Sequence, residues 1–419
     1  MLFFVLAPMA SHATNLSCPN AAGFLPKPQV KAGTPNPDIP LRHIIVIMQE
    51  NHSFDTYFGR LNQARYYGSR VDGVSEQMSN PDTNGKSVNV YHQPKLCVED
   101  PDHQESSMRE SWDNGKNDGF AKSGGLGAMG YFDQRDLPFY YTLANSFAIA
   151  DRYFCSMLGP TFPNRFFLLT GTAFGHSDNT YPDGPTQFAQ KTIFDVLDQY
   201  GISWRYYTDY SGNFSGEPGY VSLFHPLLAR DRAKIGTVAD YAKDMSSEHF
   251  PTVAFIDANE WLGEDEHPSA DIQIGQAWVA ARIQTLLKSP LWKDSVLFLT
   301  YDENGGFYDH VAPPPACAPD DIHPEDYSVY GFRVPFLAIS PYVKHHYVSH
   351  AIYDHTSILK FIETKFNLPS LTRRDANANS LLDLFDFKHP QFEVPKLIMP
   401  TVKSPCQSRP RNMGSSNSG

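Results

Sequence analysis

A run of five apolar residues at positions 44–48 constrains the fold more than any other feature, because it ends abruptly in polar side chains. Short β-branched runs of this kind are typical of a strand buried on both faces, as in a parallel sheet. In open α/β sheets the chemistry lies at the carboxyl ends of the strands, and here Glu50 and Asn51 occupy that place. Their side-chain oxygens suit a divalent cation. The pattern therefore predicts an α/β fold with metal ligands at the first strand end.

The same pattern recurs at positions 295–301, a second buried-strand candidate that ends in Asp302 and Glu303. Gly305 and Gly306 follow at once, and paired glycines indicate backbone held close to a ligand. We expect the two acidic strand ends to share one metal ion. The structural alternative for each acidic pair is a solvated turn or a helix cap.

A third polar stretch is the Gly/Pro-rich turn at positions 159–165. The turn is expected to present the hydroxyl of Thr161, with Asn164 and Arg165 available for anionic oxygens. Threonine is a poor nucleophile unless a base or a metal lowers its pKa, and its hydroxyl could instead simply stabilise the turn. The apolar residues that follow predict a helix that begins near Phe167.

Five motifs resemble, in order, those of the bacterial phospholipase C and acid phosphatase phosphoesterase family, within the alkaline-phosphatase superfamily. They span about residues 41 to 366 and read HIIVIMQENHSFDTYFG, GPTFPNRFFLLTGT, EHPSADIQIGQ, YDENGGFYDHV and YDHTSILKFIE. The resemblance implies an alkaline-phosphatase-like α/β fold, in which a mostly parallel central sheet is flanked by helices and carries long loop insertions. It also implies a metal-assisted phosphoesterase with a serine or threonine nucleophile.

On this resemblance, Thr161 attacks phosphorus and forms a phosphothreonine intermediate. The predicted ligands of one divalent cation are Glu50, Asn51, Thr161, Asp302 and Glu303. The residues predicted to protonate the leaving group or bind phosphoryl oxygens are His103, His267, His310, Asn164 and Arg165. An all-oxygen ligand set favours Ca²⁺, Mg²⁺ or Mn²⁺ by softness. Because the resemblance keeps Zn²⁺ as an alternative, Zn²⁺ and Ca²⁺ are the first two candidates, ahead of Mg²⁺ and Mn²⁺.

Three functions stay open. The first is a secreted phospholipase C that cleaves phosphatidylcholine-like lipids to diacylglycerol and a phospho-headgroup, and threonine at the nucleophile position resembles that branch of the family. The second is an acid phosphatase that acts on soluble phosphomonoesters. The third is a non-catalytic, metal-stabilised secreted protein that uses the same fold for binding.

Charge narrows the class of partner. Lysine plus arginine number 34 and aspartate plus glutamate 46, which gives 34 − 46 = −12. This balance argues against general nucleic-acid binding and against polybasic anchoring to anionic lipid. Contact with phospholipid at a membrane or micelle surface is therefore expected to occur through loops. No apolar run approaches the roughly 20 residues that span a bilayer, so no transmembrane anchor is expected.

The predicted organisation is a signal peptide at 1–13, an extended leader at 14–40, one α/β phosphoesterase domain with insertions at 41–400 and a disordered tail at 401–419. A signal peptide implies a secreted or periplasmic protein. Export permits disulfides among the five cysteines, and their odd number leaves at least one unpaired in a monomer.

Overall fold

The computed structural model of the protein describes residues 16–63, 65–180, 188–209, 219–247, 249–403 and 405–406. The strands within these ranges are β1 His43–Gln49, β2 Ser79–Pro81, β3 Ser87–Asn89, β4 Tyr91–His92, β5 Gly130–Tyr131, β6 Ala148–Ala150, β7 Trp204–Thr208, β8 Ile235–Gly236, β9 Val253–Asp257, β10 Ser295–Tyr301, β11 Phe336–Ile339 and β12 Tyr347–Ser349. The α-helices are α1 Phe54–Phe58, α2 Glu105–Trp112, α3 Phe120–Ser123, α4 Pro138–Ser146, α5 Thr161–Thr170, α6 Ile193–Gln199, α7 His225–Asp231, α8 Val238–Asp244, α9 Ile272–Lys288, α10 His355–Phe366 and α11 Arg373–Asn377.

Eight strands form the central sheet, in the order β12-β6-β11-β10-β1-β9-β7-β8. Strand β11 runs antiparallel to both of its neighbours, and every other pair in this sheet is parallel. The remaining strands form two small ribbons in the long insertion between β1 and β6. The predicted α/β fold with a mostly parallel central sheet is therefore confirmed.

Strands β1, β9, β10 and β11 are buried at every residue, so both faces of the middle of the sheet are covered. Helices α4 and α9 pack on each other, as do α5 and α10. Strand β1 pairs in parallel with β9 on one side and with β10 on the other, where Gln49 lies opposite Tyr301. The polar residues that follow these strands therefore lie side by side, at the carboxyl ends of the strands.

Both ends of the described chain are attached to the domain. Residues 16–40 contain no helix or strand, and a disulfide joins Cys18 to Cys317. A second disulfide joins Cys97 to Cys406, at the end of a segment that we call the C-terminal strap, the described residues from 386 to 406. Cys155 stays a buried free thiol, as the odd cysteine count requires.

The strap runs from the amino ends of the central strands toward their carboxyl ends. Its Phe392 carbonyl accepts a hydrogen bond (3.0 Å) from the Trp292 indole, just before β10 begins. Farther along, the Lys403 amide donates to Gln273, in the first turn of α9. The predicted signal peptide lies outside the described residues, as does most of the predicted tail. Among the helices that can be described, none has the length and apolar character to cross a bilayer.

Candidate active site

The structure brings the two acidic strand ends together. Glu50, Asn51, Asp302 and Glu303 are all buried, and the backbone N–H of Asn51 donates to Asp302 Oδ1 (3.2 Å). The Glu303 N–H donates to the same oxygen (2.7 Å). A Cβ added to Gly305, which has φ of 61°, would lie 2.3 Å from the Asn51 carbonyl oxygen. Only glycine therefore permits this close approach of the two strand ends.

Arg165 lies inside this acidic group. Its Nη2 donates to Glu50 Oε1 (3.1 Å) and its Nε to Asp302 Oδ2 (3.2 Å). Its Nη1 donates to Asp257 (3.4 Å), the last residue of β9, and its guanidinium lies 4.0 Å from the centre of the Tyr220 ring. These contacts use all three guanidinium nitrogens on protein acceptors. They do not test the substrate-binding role predicted for Arg165, which stays a prediction.

Three buried carboxylates contact this guanidinium and the buried Glu303 lies beside one of them, Asp302, so the group has more negative than positive charge. Burial raises the pKa of Asp302 to about 7, and Arg165 only partly opposes it. Burial and the adjacent Asp302 charge raise the pKa of Glu303 well above its ordinary value. Burial likewise raises the pKa of Asp257. With one guanidinium, the ionised cluster that includes Glu50 carries a formal charge of 1 − 4 = −3, and a divalent cation suits such a surplus.

Two oxygens of the predicted ligand set support the same fit. Asn51 Oδ1 and Glu303 Oε1 are buried and have no hydrogen-bond partner among the described residues. The Nε2 of His103 lies 3.3 Å from Asn51 Nδ2 and 3.9 Å from Glu303 Oε1, so both side chains meet beside one imidazole. Buried polar atoms without a partner need an explanation such as an ion. A divalent cation bound between these side chains would satisfy both oxygens.

Thr161 is the first residue of α5 and is almost fully buried. Helix α5 thus begins six residues earlier than the predicted start near Phe167, which is wrong because Pro163 suits a first helical turn. Arg165 stands one turn farther along the helix, on the same face as Thr161. Because Arg165 contacts Glu50 and Asp302, Thr161 lies on the face of α5 that is turned toward the acidic group.

The turn before α5 is braced by Asn164. Its Oδ1 accepts from the backbone N–H groups of Ser156 (2.9 Å) and Met157 (3.1 Å), and its Nδ2 donates to the Gly159 carbonyl (2.7 Å). These contacts leave the substrate role predicted for Asn164 untested. The helix start itself offers few N–H donors, because Pro160 and Pro163 have none and that of Phe162 donates to Asn179. The N-terminus of α5 therefore offers few free backbone donors to a phosphate.

His103 and His267 lie together, with ring centroids 5.7 Å apart. His103 Nδ1 lies 2.8 Å from the Pro101 carbonyl oxygen, which can only accept. That contact places the proton on Nδ1 and leaves Nε2 directed at Asn51 and Glu303. The structure thus brings two of the three predicted histidines to the acidic strand ends.

His310 belongs to a different group. Its ring nitrogens lie 2.6 Å from Asp55 and 2.9 Å from Asp72, and Arg333 bridges Asp55 (3.0 Å) and Asp309 (2.7 Å). Burial lowers the pKa of His310, but the neighbouring carboxylates outweigh it and raise the pKa to about 10. None of its described contacts reaches Thr161 or the acidic strand ends, so its predicted catalytic role stays untested.

Three parts of this site were not predicted from the sequence. Asp257 is the last residue of β9 and could have been found by the strand-end rule that identified Glu50. Tyr220, whose hydroxyl donates to Glu50, carries no sequence signal. Glu266, directly before His267, is buried and accepts hydrogen bonds from three tyrosine hydroxyls, those of Tyr57, Tyr140 and Tyr301. Burial raises the pKa of Glu266 to about 7, although these hydroxyls oppose the shift.

Known proteins share sequence similarity with most of this chain. The model of the phosphoesterase family matches residues 41–369. Phospholipase C B of Mycobacterium tuberculosis is 32% identical over 413 residues, covering 84% of this chain and 78% of the relative. Non-specific phospholipase C1 of Arabidopsis thaliana is 33% identical, covering 87% and 74%. For the non-hemolytic phospholipase C of Burkholderia pseudomallei the identity is 30%, with 85% and 60% covered.

Two solved structures resemble parts of this fold at low sequence identity. A Vibrio parahaemolyticus protein described as in the alkaline phosphatase superfamily matches with a TM-score of 0.41 and 10% identity, over 88% of this chain and 73% of that one. Murine ectonucleotide pyrophosphatase/phosphodiesterase 5 matches with a TM-score of 0.39 and 14% identity, over 59% of this chain and 94% of that one.

Proposed function

The chain belongs to the phosphoesterase family and is a phosphoric ester hydrolase, and on this premise we propose that it is a metal-dependent phospholipase C. The proposed substrate is a phosphatidylcholine-like lipid, and the products are diacylglycerol and a phospho-headgroup. Relatives named phospholipase C, at 30–33% identity, support the choice of a lipid. The observation that carries the proposal is the pair of buried oxygens without partners, Asn51 Oδ1 and Glu303 Oε1, among the acidic strand ends.

The proposed ligands of one divalent cation are Glu50, Asn51, Asp302, Glu303 and the hydroxyl of Thr161. When bound, the cation would lower the pKa of the Thr161 hydroxyl and draw charge from a phosphoryl oxygen. Zn²⁺ and Ca²⁺ are the ions we propose first, with Mg²⁺ and Mn²⁺ as alternatives. Arg165 neutralises part of the carboxylate charge, which limits the repulsion between Glu50, Asp257 and Asp302.

Thr161 Oγ1 passes its proton to a carboxylate of the acidic group and attacks phosphorus, and the bond from phosphorus to the diacylglycerol oxygen breaks. The leaving alkoxide takes up one proton, and His103 and His267 are the nearest candidate donors at the acidic strand ends. Water then attacks the phosphothreonine, releases the phospho-headgroup and restores the Thr161 hydroxyl. Asn164 keeps the turn in place during both steps, because it holds three backbone groups of the segment that leads into α5.

We also propose that the protein is exported. Its two disulfides support an oxidising compartment, because the cytosol keeps most thiols reduced. The signal peptide that would direct export is a proposal from the sequence alone.

The test is phosphocholine release from phosphatidylcholine, measured beside hydrolysis of a soluble phosphomonoester. Wild type, Thr161→Ala, Thr161→Ser and chelator-treated protein are compared, with the serine variant as the matched control that keeps a hydroxyl. We expect release by wild type and Thr161→Ser, and loss of at least about a thousandfold in Thr161→Ala and in chelator.

Other outcomes point elsewhere. Cleavage of the monoester without the lipid would move the assignment to an acid phosphatase. Full activity in Thr161→Ala would refute the nucleophile. No hydrolysis with any of the four cations would favour the non-catalytic binding protein.

A further inference from the structure

Two exposed apolar tips stand out on the surface of the protein. The first is the Trp261–Leu262 tip, in which the two side chains are 46% and 61% exposed. The second is the Leu126 tip, where Leu126 is 59% exposed between Gly125 and Gly127, and a Cβ added at either glycine would meet nothing within 4 Å. Singly exposed apolar side chains are common on protein surfaces, so the position of these tips relative to the site decides what they indicate.

The Trp261–Leu262 tip is built on the acidic strand ends. Its loop leaves the sheet after Asp257, which is paired with Arg165. The loop returns at Glu264 and Asp265, whose carbonyl oxygens accept from the Gln49 side chain (2.8 Å) and the Glu50 N–H (2.9 Å). Both stems of the loop are thus held by residues at the ends of β1 and β9, so the tip stands at the rim of the site.

The Leu126 tip is built on the other segments of the site. A Cβ added to Gly124 would lie 3.0 Å from Pro101 Cβ and 3.1 Å from the Gly306 carbonyl oxygen, so this loop packs on the segments that carry His103 and Glu303. The Ala128 carbonyl oxygen accepts from the Tyr308 N–H (2.9 Å) and anchors the far side. Two separate loops therefore place apolar side chains around one site.

We propose that both tips insert into the surface of a zwitterionic phospholipid bilayer and dock the site on it. The inference rests on the proposed phospholipase C activity. The phosphate of a bilayer lipid lies at headgroup depth, so an enzyme that reaches it must bring the rim of its site to that surface. Tryptophan and leucine suit this boundary, because the indole ring is amphipathic and leucine gains from transfer out of water.

The charges near the two tips favour a zwitterionic membrane surface as the binding partner. Glu260 and Glu264 flank the Trp261–Leu262 tip, and the net charge of the chain is −12. Lys122, near Leu126, is one positive charge and does not form the cluster that holds anionic headgroups. An anionic bilayer would repel this face, whereas phosphatidylcholine carries no net charge and allows the apolar side chains to enter.

The strap provides a matched control. Phe392 and Ile398 are 49% and 60% exposed, close to the values for Trp261 and Leu262. Phe392 lies beside Trp292, just before the amino end of β10, whereas the site lies at the carboxyl end of that strand. Ile398 precedes Met399, whose sulfur accepts from Gln284 (2.7 Å) in the last turns of α9, the end of the helix away from the site. If exposure alone decided vesicle binding, loss of either pair of side chains would weaken it equally. Docking at the rim of the site predicts that only loss of Trp261 and Leu262 weakens it.

The experiment compares the full-length wild type with Trp261→Ala/Leu262→Ala, Leu126→Ala and Phe392→Ala/Ile398→Ala. Binding to sucrose-loaded phosphatidylcholine vesicles is measured by sedimentation, and hydrolysis is measured on the same vesicles and on dibutyroyl-phosphatidylcholine as dissolved monomers. Each lost tip side chain is expected to weaken vesicle binding about fivefold, so the double variant binds about twenty-five-fold less tightly. Vesicle hydrolysis should fall in parallel, while hydrolysis of the monomer and both properties of the strap variant stay at wild-type values.

Three results would overturn the proposal. They are wild-type vesicle binding by the Trp261→Ala/Leu262→Ala variant, an equal loss in the strap variant, and an equal fall of vesicle and monomer hydrolysis in the tip variants. Tighter wild-type binding to phosphatidylglycerol vesicles would overturn the zwitterionic occupant. Sedimentation needs no turnover, so a wild type that binds vesicles through the tips but hydrolyses neither lipid refutes the proposed function and leaves the docking surface supported.

Discussion

Replacement of Arg165 by methionine tests whether the buried acidic group depends on this guanidinium. The change keeps an unbranched side chain but leaves Glu50, Asp257 and Asp302 without their shared cation. Removal of one partner of a buried ion pair costs about 3–5 kcal/mol. With about 2.1 cal/mol/K of unfolding entropy per residue, 419 residues give about 0.9 kcal/mol/K. A loss of about 4 kcal/mol therefore lowers Tm by about 4–5 °C.

A divalent cation should restore part of this loss. A cation that binds the same carboxylates stabilises the folded protein by about 2.7 kcal/mol at one hundred times its Kd, which is about 3 °C here. In the variant the carboxylates are no longer shared with Arg165 and attract the cation more strongly. The rise in Tm between chelator and saturating Ca²⁺ or Zn²⁺ is therefore expected to be larger in Arg165→Met than in wild type.

Arg230 offers the matched control. It also contacts three carboxylates, those of Asp195, Asp198 and Asp231, but its side chain is 48% exposed. Solvent-exposed ion pairs contribute about 0–1 kcal/mol, so Arg230→Met should lower Tm by about 1 °C or less, with or without a cation. Thermal unfolding followed by circular dichroism measures both variants. Equal losses for the two arginines, or a cation response in Arg165→Met no greater than in wild type, would refute the reasoning.

Three further predictions follow from other contacts. Because the pKa of His310 is raised to about 10, its ion pairs stabilise the fold fully below about pH 6.5 and are lost as pH rises through 10. In urea titrations the free energy of unfolding of His310→Gln should therefore be lower than that of wild type by up to about 5 kcal/mol at pH 6, and this difference should vanish near pH 10. A difference that does not change with pH would contradict the prediction. Gly305→Ala should cost about 2–4 kcal/mol by thermal unfolding, because its Cβ meets the Asn51 carbonyl oxygen at 2.3 Å. Gly68→Ala, with φ of 57° and open space, should cost only about 1 kcal/mol, and equal costs would show that the contact is unimportant. Cys97→Ser should lower the free energy of unfolding by about 2–5 kcal/mol and make the remaining loss in reductant smaller than in wild type, whereas unchanged unfolding would show that the strap contributes nothing.

The central strands were predictable because their physics is local. Residues 44–48 and 296–299 are apolar without alternation, which is what burial on both faces requires, and the strands predicted at these positions are confirmed. The inference that Glu50 and Asp302 meet followed from one rule, that the carboxyl ends of parallel strands share an edge. The pairing of β1 with β10 bears this out. The resemblance to the phosphoesterase family is also confirmed.

The electrostatics of the site could not be predicted in the same way. Arg165 follows the nucleophile turn, which suggests contact with phosphate, yet its nitrogens contact carboxylates from three different strand ends. That outcome depends on how α5 lies against the sheet, which no periodicity reports. His310 and Asp302 belong to the same sequence motif. The chain turns at Gly305 and Gly306, however, and the His310 ring contacts Asp55 and Asp72. Sequence proximity to a ligand therefore did not imply proximity in space.

The long reach of the two disulfides has a consequence for biosynthesis. Cys18 and Cys97 pair with cysteines 299 and 309 residues farther along the chain. A ribosome that adds about 5–20 residues per second needs about 15–60 s to make such a stretch. Until Cys317 emerges, the available thiols are those of Cys18, Cys97 and Cys155, and every bond among them is non-native. Any disulfide that forms in that time must be resolved by thiol–disulfide exchange before the native pairs can close.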